Sequence, residues 1–359
     1  STFMAIGCFF AYSGWTAWVG LGNWLPFFWA FWALQPYLKT SSARSRCALW
    51  LISGTVPVLI TGFGQLWLGW EGPWQLLDGW IIWFVAPGGE PSGRLSGLFD
   101  YANIAGAWLA FVWPFSLAVL VQPRLNGFKR VLVLMLGISI VAALVLTDSR
   151  NAWGGLILAI PFVLGPSRWL LILPFMVFVL VPVTLASLPG IDVNLQLWAR
   201  KLVPENIWTR LTDIRYAEQR TFSQSRLSQW GFALTLIAER PWLGWGAAAF
   251  PVLYYAITSN WFGHPHNLPL ELSVSHGIPA AILVVTTAIA LLITALRRGV
   301  LLGSSSSFTI FDRAWWTSSF ILIVIHGTDI PSFDSRLNIA GWILLTGLRC
   351  LIASSEELE

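Results

Sequence analysis

The chain has 359 residues, of which 56% are hydrophobic and only 11% are charged. About one-quarter of the residues in a soluble globular domain are charged, so this composition excludes an ordinary soluble fold. The net charge of +4 is dispersed among apolar runs and forms no basic patch, which excludes nucleic-acid binding. The three cysteines are scattered, and their spacing fits neither a disulfide framework nor a zinc site.

Long stretches without Asp, Glu, Lys or Arg run through the whole chain. They cover 47–70, 101–121, 131–147, 169–190, 277–296 and 337–348. A helix of about 20 apolar residues crosses the ~30 Å hydrocarbon core of a bilayer. We therefore predict an all-α, polytopic transmembrane helical bundle of about ten spans. These are expected near 3–20, 22–38, 47–66, 101–121, 130–147, 152–166, 169–189, 267–296, 314–328 and 337–353.

The first ten residues, STFMAIGCFF, carry no basic stretch and no small-residue cleavage site. They are typical of a membrane span already under way and not of a signal peptide. Further helices before residue 1 are compatible with this start.

Arginine and lysine are concentrated in alternate loops. Because basic residues mark cytoplasmic loops, we assign four segments to the cytoplasmic side: 39–46, 124–130, Arg168 and Arg297-Arg298. The loops that then face outward are 67–100, 148–151, 190–266 and 329–336. The predicted organisation is N-terminal membrane helices over 1–189, a long outward loop with short helices over 190–266, and C-terminal membrane helices with a tail over 267–359.

Within the long outward loop, residues 224–239 show the spacing of an amphipathic helix. The predicted apolar face consists of Leu227, Trp230, Leu234 and Ile237. Ser225 is suited to cap the start of this helix, and Pro241 with the GlyTrpGly that follows is suited to end it.

Four polar clusters fall at the predicted outer ends of spans. They are the stretch from Arg94 to Asn103, the turn 147–151, Arg226 with ProTrpLeuGlyTrpGly at 241–246, and His264-Pro-His266-Asn267 with Glu271 one helical turn later. Such turns are often polar simply to satisfy backbone donors. Arg150 is different, because an arginine near the acyl boundary must snorkel, pair or bind an anion.

The two histidines of the last cluster flank a proline. His264 and His266 therefore cannot share a helical face as metal ligands, and few carboxylates accompany them in the sequence. We predict no metal site here. A base or hydrogen-bonding role for histidine at the head of a span is favoured instead.

The spacing around this cluster resembles that of the O-antigen ligase/polymerase superfamily. His266-Asn267, nine residues and then Gly277-Ile-Pro-Ala280 match the pattern His-Asn, nine residues, Gly-x-x-Gly, with Ala280 in place of the last glycine. Further family marks are Arg94-x-Ser-Gly followed by Asn103, Ser149-Arg150 between two spans, and Arg226 before a helix that ends in Pro-x-x-Gly-x-Gly. The resemblance covers about residues 90–350.

The resemblance implies an inverting, metal-independent transfer of a glycan from an undecaprenyl-pyrophosphate carrier to an acceptor hydroxyl. His266 would accept the proton of the hydroxyl, oriented by Asn267 or Glu271. Arg150 and Arg226 would stabilise the leaving pyrophosphate, with Arg94 or Arg220 as helpers, because a guanidinium binds phosphate oxygens through two donors. The substrate-binding residues are expected to be Arg94, Asn103, Arg220, Asn267 and Glu271, and no cofactor is expected.

The expected partners are a lipid-linked oligosaccharide, an acceptor hydroxyl on a glycan, on lipid A-core or on a protein, and membrane lipids. The expected location is the bacterial inner membrane, with the active site facing the periplasm. Ligase, polymerase and protein O-glycosyltransferase remain open. Alternatives outside glycan transfer are a transporter of a small anion such as bicarbonate and a structural membrane scaffold, but the centres of the apolar runs carry no ionisable residue.

Overall fold

A computed structural model describes residues 1–122, 126–214, 221–302 and 308–356, with side chains in the last helix up to residue 353. Most of this chain is helical. The helices are α1 (Thr2–Phe9), α2 (Trp15–Gly20), α3 (Leu25–Ala33), α4 (Gln35–Leu38), α5 (Ser41–Trp67), α6 (Ala102–Leu120), α7 (Gly127–Leu146), α8 (Arg150–Leu164), α9 (Trp169–Ser187), α10 (Val193–Leu202), α11 (Glu205–Leu211), α12 (Arg226–Glu239), α13 (Ala249–Thr258), α14 (Leu268–His276), α15 (Ile278–Arg297), α16 (Ile310–Ile325) and α17 (Ser335–Glu356). In the described residues, the strands are β1 (Trp74–Leu76) and β2 (Ile81–Trp83), which form one antiparallel hairpin.

Six helices of the described residues are long and apolar enough to cross a membrane. They are α5, α6, α7, Pro166–Ser187 around α9, α15, and Ser335–Ala353 within α17. The chain is therefore a multi-pass helical membrane protein, as predicted, but the expectation of about ten spans is wrong.

Four of the predicted spans are absent from this set. Two of them, 152–166 and 314–328, correspond to the unbroken helices α8 and α16, which have only 15 and 16 residues and are shorter than the ~20 residues of a typical span. In the other two, and in one further apolar run, the backbone turns inside the run. The predicted helices 3–20 and 22–38 break into α1 to α4, and one of the breaks lies at Gly14 with a φ of 57°. The predicted helix 267–296 breaks at Gly277, whose φ is 82°. Glycine adopts these left-handed conformations without a steric penalty. Composition alone does not reveal such a break.

Helix α6 forms the centre of the bundle. It packs against α16, α8, α7 and α5, and most of its side chains are buried. Small residues allow its close approach to α8: a Cβ on Gly106 would lie 2.9 Å from the Cβ of Ala152, and a Cβ on Gly155 would lie 3.0 Å from that of Ala110. Close packing of small residues is a common means of helix association in a bilayer, where lipid and side chains are equally apolar.

A buried ion pair holds one end of the bundle together. Arg44, at the start of α5, donates to Asp312, at the start of α16, with 2.8 Å between Nη2 and Oδ1. Both side chains are buried. Nearby, Arg313 Nε donates to the carbonyl of Val163 at the end of α8. The first of the charged loops assigned to the cytoplasm, 39–46, therefore lies at this end.

The helix predicted at 224–239 exists as α12, and Ser225 caps it by accepting from the backbone nitrogen of Ser228 at 3.2 Å. The predicted apolar face is wrong in part, because Leu227 and Leu234 are exposed. The buried face consists of Gln229, Ala233, Leu236 and Ile237. It faces α13 and α14, whose positions the spacing within α12 does not reveal.

The turn at 241–246 interlocks with the junction between α14 and α15. The backbone nitrogen of Trp245 donates to the carbonyl of Val274 at 2.7 Å, and that of Ile278 donates to the carbonyl of Pro241 at 2.8 Å. Two sequence motifs that are about thirty residues apart therefore form one unit, and this unit holds the end of α14.

Gly277→Ala is expected to destabilise this unit. Its φ is 82°, and an added Cβ would lie 2.1 Å from the carbonyl oxygen of Trp242. A non-glycine residue in a strained backbone region costs about 1–3 kcal/mol before any clash. The control is Gly231→Ala in α12, where a Cβ meets no heavy atom within 4 Å. Thermal unfolding of the purified protein should show a lower melting temperature for Gly277→Ala only, and equal melting temperatures would contradict the interlock.

Candidate active site

A buried carboxylate, Asp329, lies at the centre of the polar groups at the end of the bundle opposite Arg44. It follows α16, and its side chain is 7% exposed. Its Oδ1 lies 3.1 Å from Nδ1 of His266 and accepts from the backbone nitrogen of Ile330 at 2.9 Å. Its Oδ2 accepts from the amide of Asn103 at 3.3 Å and lies 4.0 Å from Nη2 of Arg226. Four separate chain segments thus meet at one carboxylate.

The loop that carries His266 is fixed by its own polar groups. His266 has a φ of 51°, and its backbone nitrogen donates to Nδ1 of His264 at 3.1 Å. Asn267 caps α14 by accepting from the backbone nitrogen of Leu270, and it also donates to the carbonyl of Gly327 at 2.8 Å. A non-glycine residue in this backbone region persists only where its surroundings hold it. Here they aim the imidazole at Asp329.

The charge state of Asp329 determines which nitrogen of His266 carries a proton. Burial by itself would raise the pKa of this carboxyl, but the hydrogen bond and charge of His266, together with Arg226, outweigh burial and hold the pKa below its usual range. Asp329 is therefore a carboxylate at neutral pH and can only accept hydrogen bonds. His266 therefore donates to Asp329 through Nδ1, and in the neutral form of the imidazole the lone pair lies on Nε2.

His264 is a neutral neighbour. Burial, reinforced by the nearby His266, lowers its pKa to about 4. The ring is therefore uncharged at pH 7, and its Nδ1 can accept the hydrogen bond from the backbone of His266.

Arg94 supports the site from behind. It is buried, and its Nη2 donates to the amide oxygen of Asn103 at 2.7 Å, while its Nε donates to the carbonyl of Thr147 at 2.8 Å. These contacts orient the Asn103 amide so that its nitrogen faces Asp329. The predicted substrate-binding residue Arg94 thus lies behind Asn103 and positions it.

Arg150 lies in the same turn as Thr147 but points to a second ionic group. Its Nη2 is 3.9 Å from Oδ2 of Asp213, and its side chain is 42% exposed. The buried Arg210 bridges this group, with Nε 3.3 Å from Asp148 and Nη1 3.5 Å from Asp213.

The structure brings together only part of the predicted set. Asp329 contacts His266, Asn103 and Arg226 directly. Asn267 and Glu271 do not orient the imidazole as expected, because Asn267 caps its helix and Glu271 accepts from Ser275 at 2.6 Å. Arg220 lies outside the described residues.

Two important residues were not predicted from the sequence, Asp329 and Arg210. Asp329 lies in the loop 329–336, which was predicted to face outward and which has only two acidic residues. An acidic residue directly after an apolar span was the available signal, but its partners are distant in sequence. Arg210 was one of many arginines in the long loop, and nothing in the sequence distinguished it.

His264, His266 and Asp329 also form a candidate metal cluster, with one ligand atom from each within 4.8 Å of the others. Two contacts compete with a cation. Nδ1 of His264 already accepts from the backbone of His266, and the guanidinium of Arg226 lies 4.0 Å from Asp329. That no metal binds here stays a prediction.

The fold and this site define a multi-pass helical membrane protein with a histidine–carboxylate pair beside an arginine at one end of its bundle. Residues 131–285 match the family described as O-antigen ligase. This match supports the resemblance to the O-antigen ligase superfamily, a family whose activity is in general that of a glycosyltransferase or ligase. A search of curated proteins found no match. The matched segment includes Arg150, Arg226 and His266, whereas Asp329 lies beyond it.

The metal prediction can be tested by direct binding. The purified protein, dialysed against Zn²⁺ and then against metal-free buffer, should retain no more metal than a His264→Ala/His266→Ala double variant, by mass-spectrometric metal analysis. The reason is that a cation must displace a hydrogen bond and approach a guanidinium. One equivalent of metal in the wild type that is lost in the double variant would contradict it.

Proposed function

We propose that this protein transfers a glycan from an undecaprenyl-pyrophosphate-linked donor to an acceptor hydroxyl at the periplasmic face of the bacterial inner membrane, with inversion and without a metal. The observation that carries the proposal is the contact of 3.1 Å between His266 and Asp329, with Arg226 beside it. A positioned base and a cation for a leaving phosphate are the two requirements of such a transfer.

His266 acts as the base. Asp329 accepts the Nδ1 proton, so Nε2 takes the proton of the acceptor hydroxyl as its oxygen attacks the anomeric carbon. The new bond forms on the face opposite the pyrophosphate, and the bond to the pyrophosphate oxygen breaks. The leaving group departs with that electron pair, which inverts the anomeric carbon.

Arg226 and Arg150 take the charge that develops on the pyrophosphate. Arg226 is 37% exposed and lies 4.0 Å from Asp329, a distance that leaves its other donors available to a ligand. Preorganised cations stabilise a transition state most where water is partly excluded. The acceptor is a glycan, lipid A-core or a protein. Which of these it is depends on the contacts that the acceptor makes with the protein.

The transport alternative has less support. Ionisable residues at mid-membrane are the usual mark of a transport path. In the six spans of the described residues, the charged residues lie at or near the helix ends, whereas the polar groups converge on the site around Asp329.

Asp329→Asn should abolish most of the transfer while donor binding persists. An asparagine no longer requires Nδ1 of His266 to donate, so the base loses its fixed orientation and tautomer. We expect Asp329→Asn and His266→Ala each to reduce single-turnover transfer by about 10²–10⁴-fold. The control is Asp334→Asn in the same loop, which pairs with Arg336. Similar losses in Asp329→Asn and Asp334→Asn would count against the base assignment.

Arg226→Ala should weaken donor binding as well as transfer, because its guanidinium holds the pyrophosphate before and during bond breaking. Arg226→Lys should restore only part of both, since an ammonium group lacks the bidentate fork. The control is Arg200→Ala, where the guanidinium lies 4.2 Å from the ring of Trp208 in the same outer segment. The measurement is donor affinity in nanodiscs without acceptor. Unchanged donor affinity in Arg226→Ala would remove this residue from the donor site.

A further inference from the structure

A cavity of about 320 Å³ lies beside the histidine loop. Its wall is formed by α2 and the turn after it, by residues 247–248, and by one face of α14. Its polar lining includes Glu271, Ser275, His276 and Asn23, and its aromatic lining is Trp24 and Phe333. The volume lies within the range of about 300–1,000 Å³ that is usual for small-molecule sites.

Glu271 lines this cavity and has one side-chain oxygen without a hydrogen-bond partner among the described residues. The residue is 6% exposed. Its Oε1 accepts from Ser275 at 2.6 Å, while its buried Oε2 has no partner among the described residues. Buried polar atoms are nearly always paired, and leaving one unpaired is costly. A ligand that donates a hydrogen bond to Oε2 would remove this cost.

The lining selects for an uncharged polar ligand. Among the described residues, no arginine or lysine lines the cavity. Burial raises the pKa of Glu271 to about 7, so the group passes between acid and carboxylate near neutral pH. A cation requires the carboxylate form and an anion is repelled by it, whereas a hydroxyl can bond to either form.

The pyrophosphate and the hydrocarbon chain of a lipid-linked saccharide fit other parts of the protein. The arginines that suit a pyrophosphate, Arg226 and Arg150, do not line this cavity. A separate and mostly apolar cavity of about 500 Å³, between α3 and α15–α17, is suited to a hydrocarbon chain. The sugar ring is the remaining part of such a substrate. Its hydroxyls form hydrogen bonds, and its C–H face packs on aromatic rings such as Trp24.

The cavity adjoins the base. The ring of Phe333, which lines the cavity, is 5.3 Å from that of His264, and His264 is 4.4 Å from His266. We propose that this cavity binds a neutral saccharide ring of one substrate, with Glu271 accepting a hydrogen bond from a ring hydroxyl. This deepens the proposed function and rests on it. The ring belongs either to the acceptor or to the donor glycan.

The first experiment measures binding without catalysis. Saturation-transfer NMR with a panel of methyl glycosides of hexoses, deoxyhexoses and N-acetylhexosamines is applied to the full chain in nanodiscs. We expect signal for at least one glycoside, retention of part of it in Glu271→Gln and its loss in Glu271→Leu. Val19→Trp, a change at an exposed lining residue, should also abolish it by filling the entrance.

The matched control is Gln229→Leu. Gln229 is equally buried and also has an unpaired oxygen, but it lies in α12 outside the cavity. The saturation-transfer signal with Gln229→Leu should equal that with the wild type. No signal for the whole panel, or equal signal in wild type, Glu271→Leu and Val19→Trp, would overturn the proposal.

The second experiment identifies the source of the ring. In a transfer assay, Val19→Trp should raise KM about tenfold or more for one substrate alone, because the indole fills the entrance and keeps the ring hydroxyl from its hydrogen bond with Glu271. A higher KM for the acceptor assigns the cavity to the acceptor, and a higher KM for the donor assigns it to the donor. Glycoside binding without any transfer by the wild type would contradict the proposed function alone. Transfer with unchanged KM for both substrates in Val19→Trp would contradict the cavity proposal alone.

Discussion

The burial of one negative charge, that of Asp329, sets the arrangement of the site end of the molecule. A carboxylate removed from water is strongly unfavourable unless hydrogen bonds and opposite charges replace its solvation. Here the replacements come from Asn103 at the start of α6, Arg226 at the start of α12, and His266 before α14. Moving any of these elements would leave the charge uncompensated. The same requirement that fixes the helix ends therefore also fixes the geometry of the imidazole.

In the six spans of the part of the chain that the structure describes, charged residues lie at or near the helix ends. One end of the bundle is held by the pair between Arg44 and Asp312, and the other by the groups around Asp329. Between them, apolar helices pack on α6 through small residues. A site bordered by this low-dielectric region strengthens each electrostatic contact. The site end also separates three chemical environments: arginines, an uncharged polar cavity, and an apolar cavity.

The position of the base further depends on glycine. The turn at 241–246 fits against Gly277 only because no Cβ is present there. This interlock fixes the end of α14, while at its start Asn267 caps the helix and ties it to Gly327. His266 is held in a left-handed backbone conformation next to this anchored point. Its strain is tolerated because the contacts on both sides determine where the chain runs.

The sequence by itself determined the membrane class, the positions of most long helices, the cap at Ser225, and the motifs with His266 and Arg226. These properties depend on local composition and spacing, which a chain displays directly. Only the tertiary structure decided that Asp329 orients His266, because the two residues are 63 positions apart. It also decided that Arg94 stands behind Asn103, that Glu271 faces a cavity, and that the apolar run at 267–296 turns at Gly277. Such features depend on which distant segments meet, and the free energy of burying a polar group is set by those neighbours and not by the residue type.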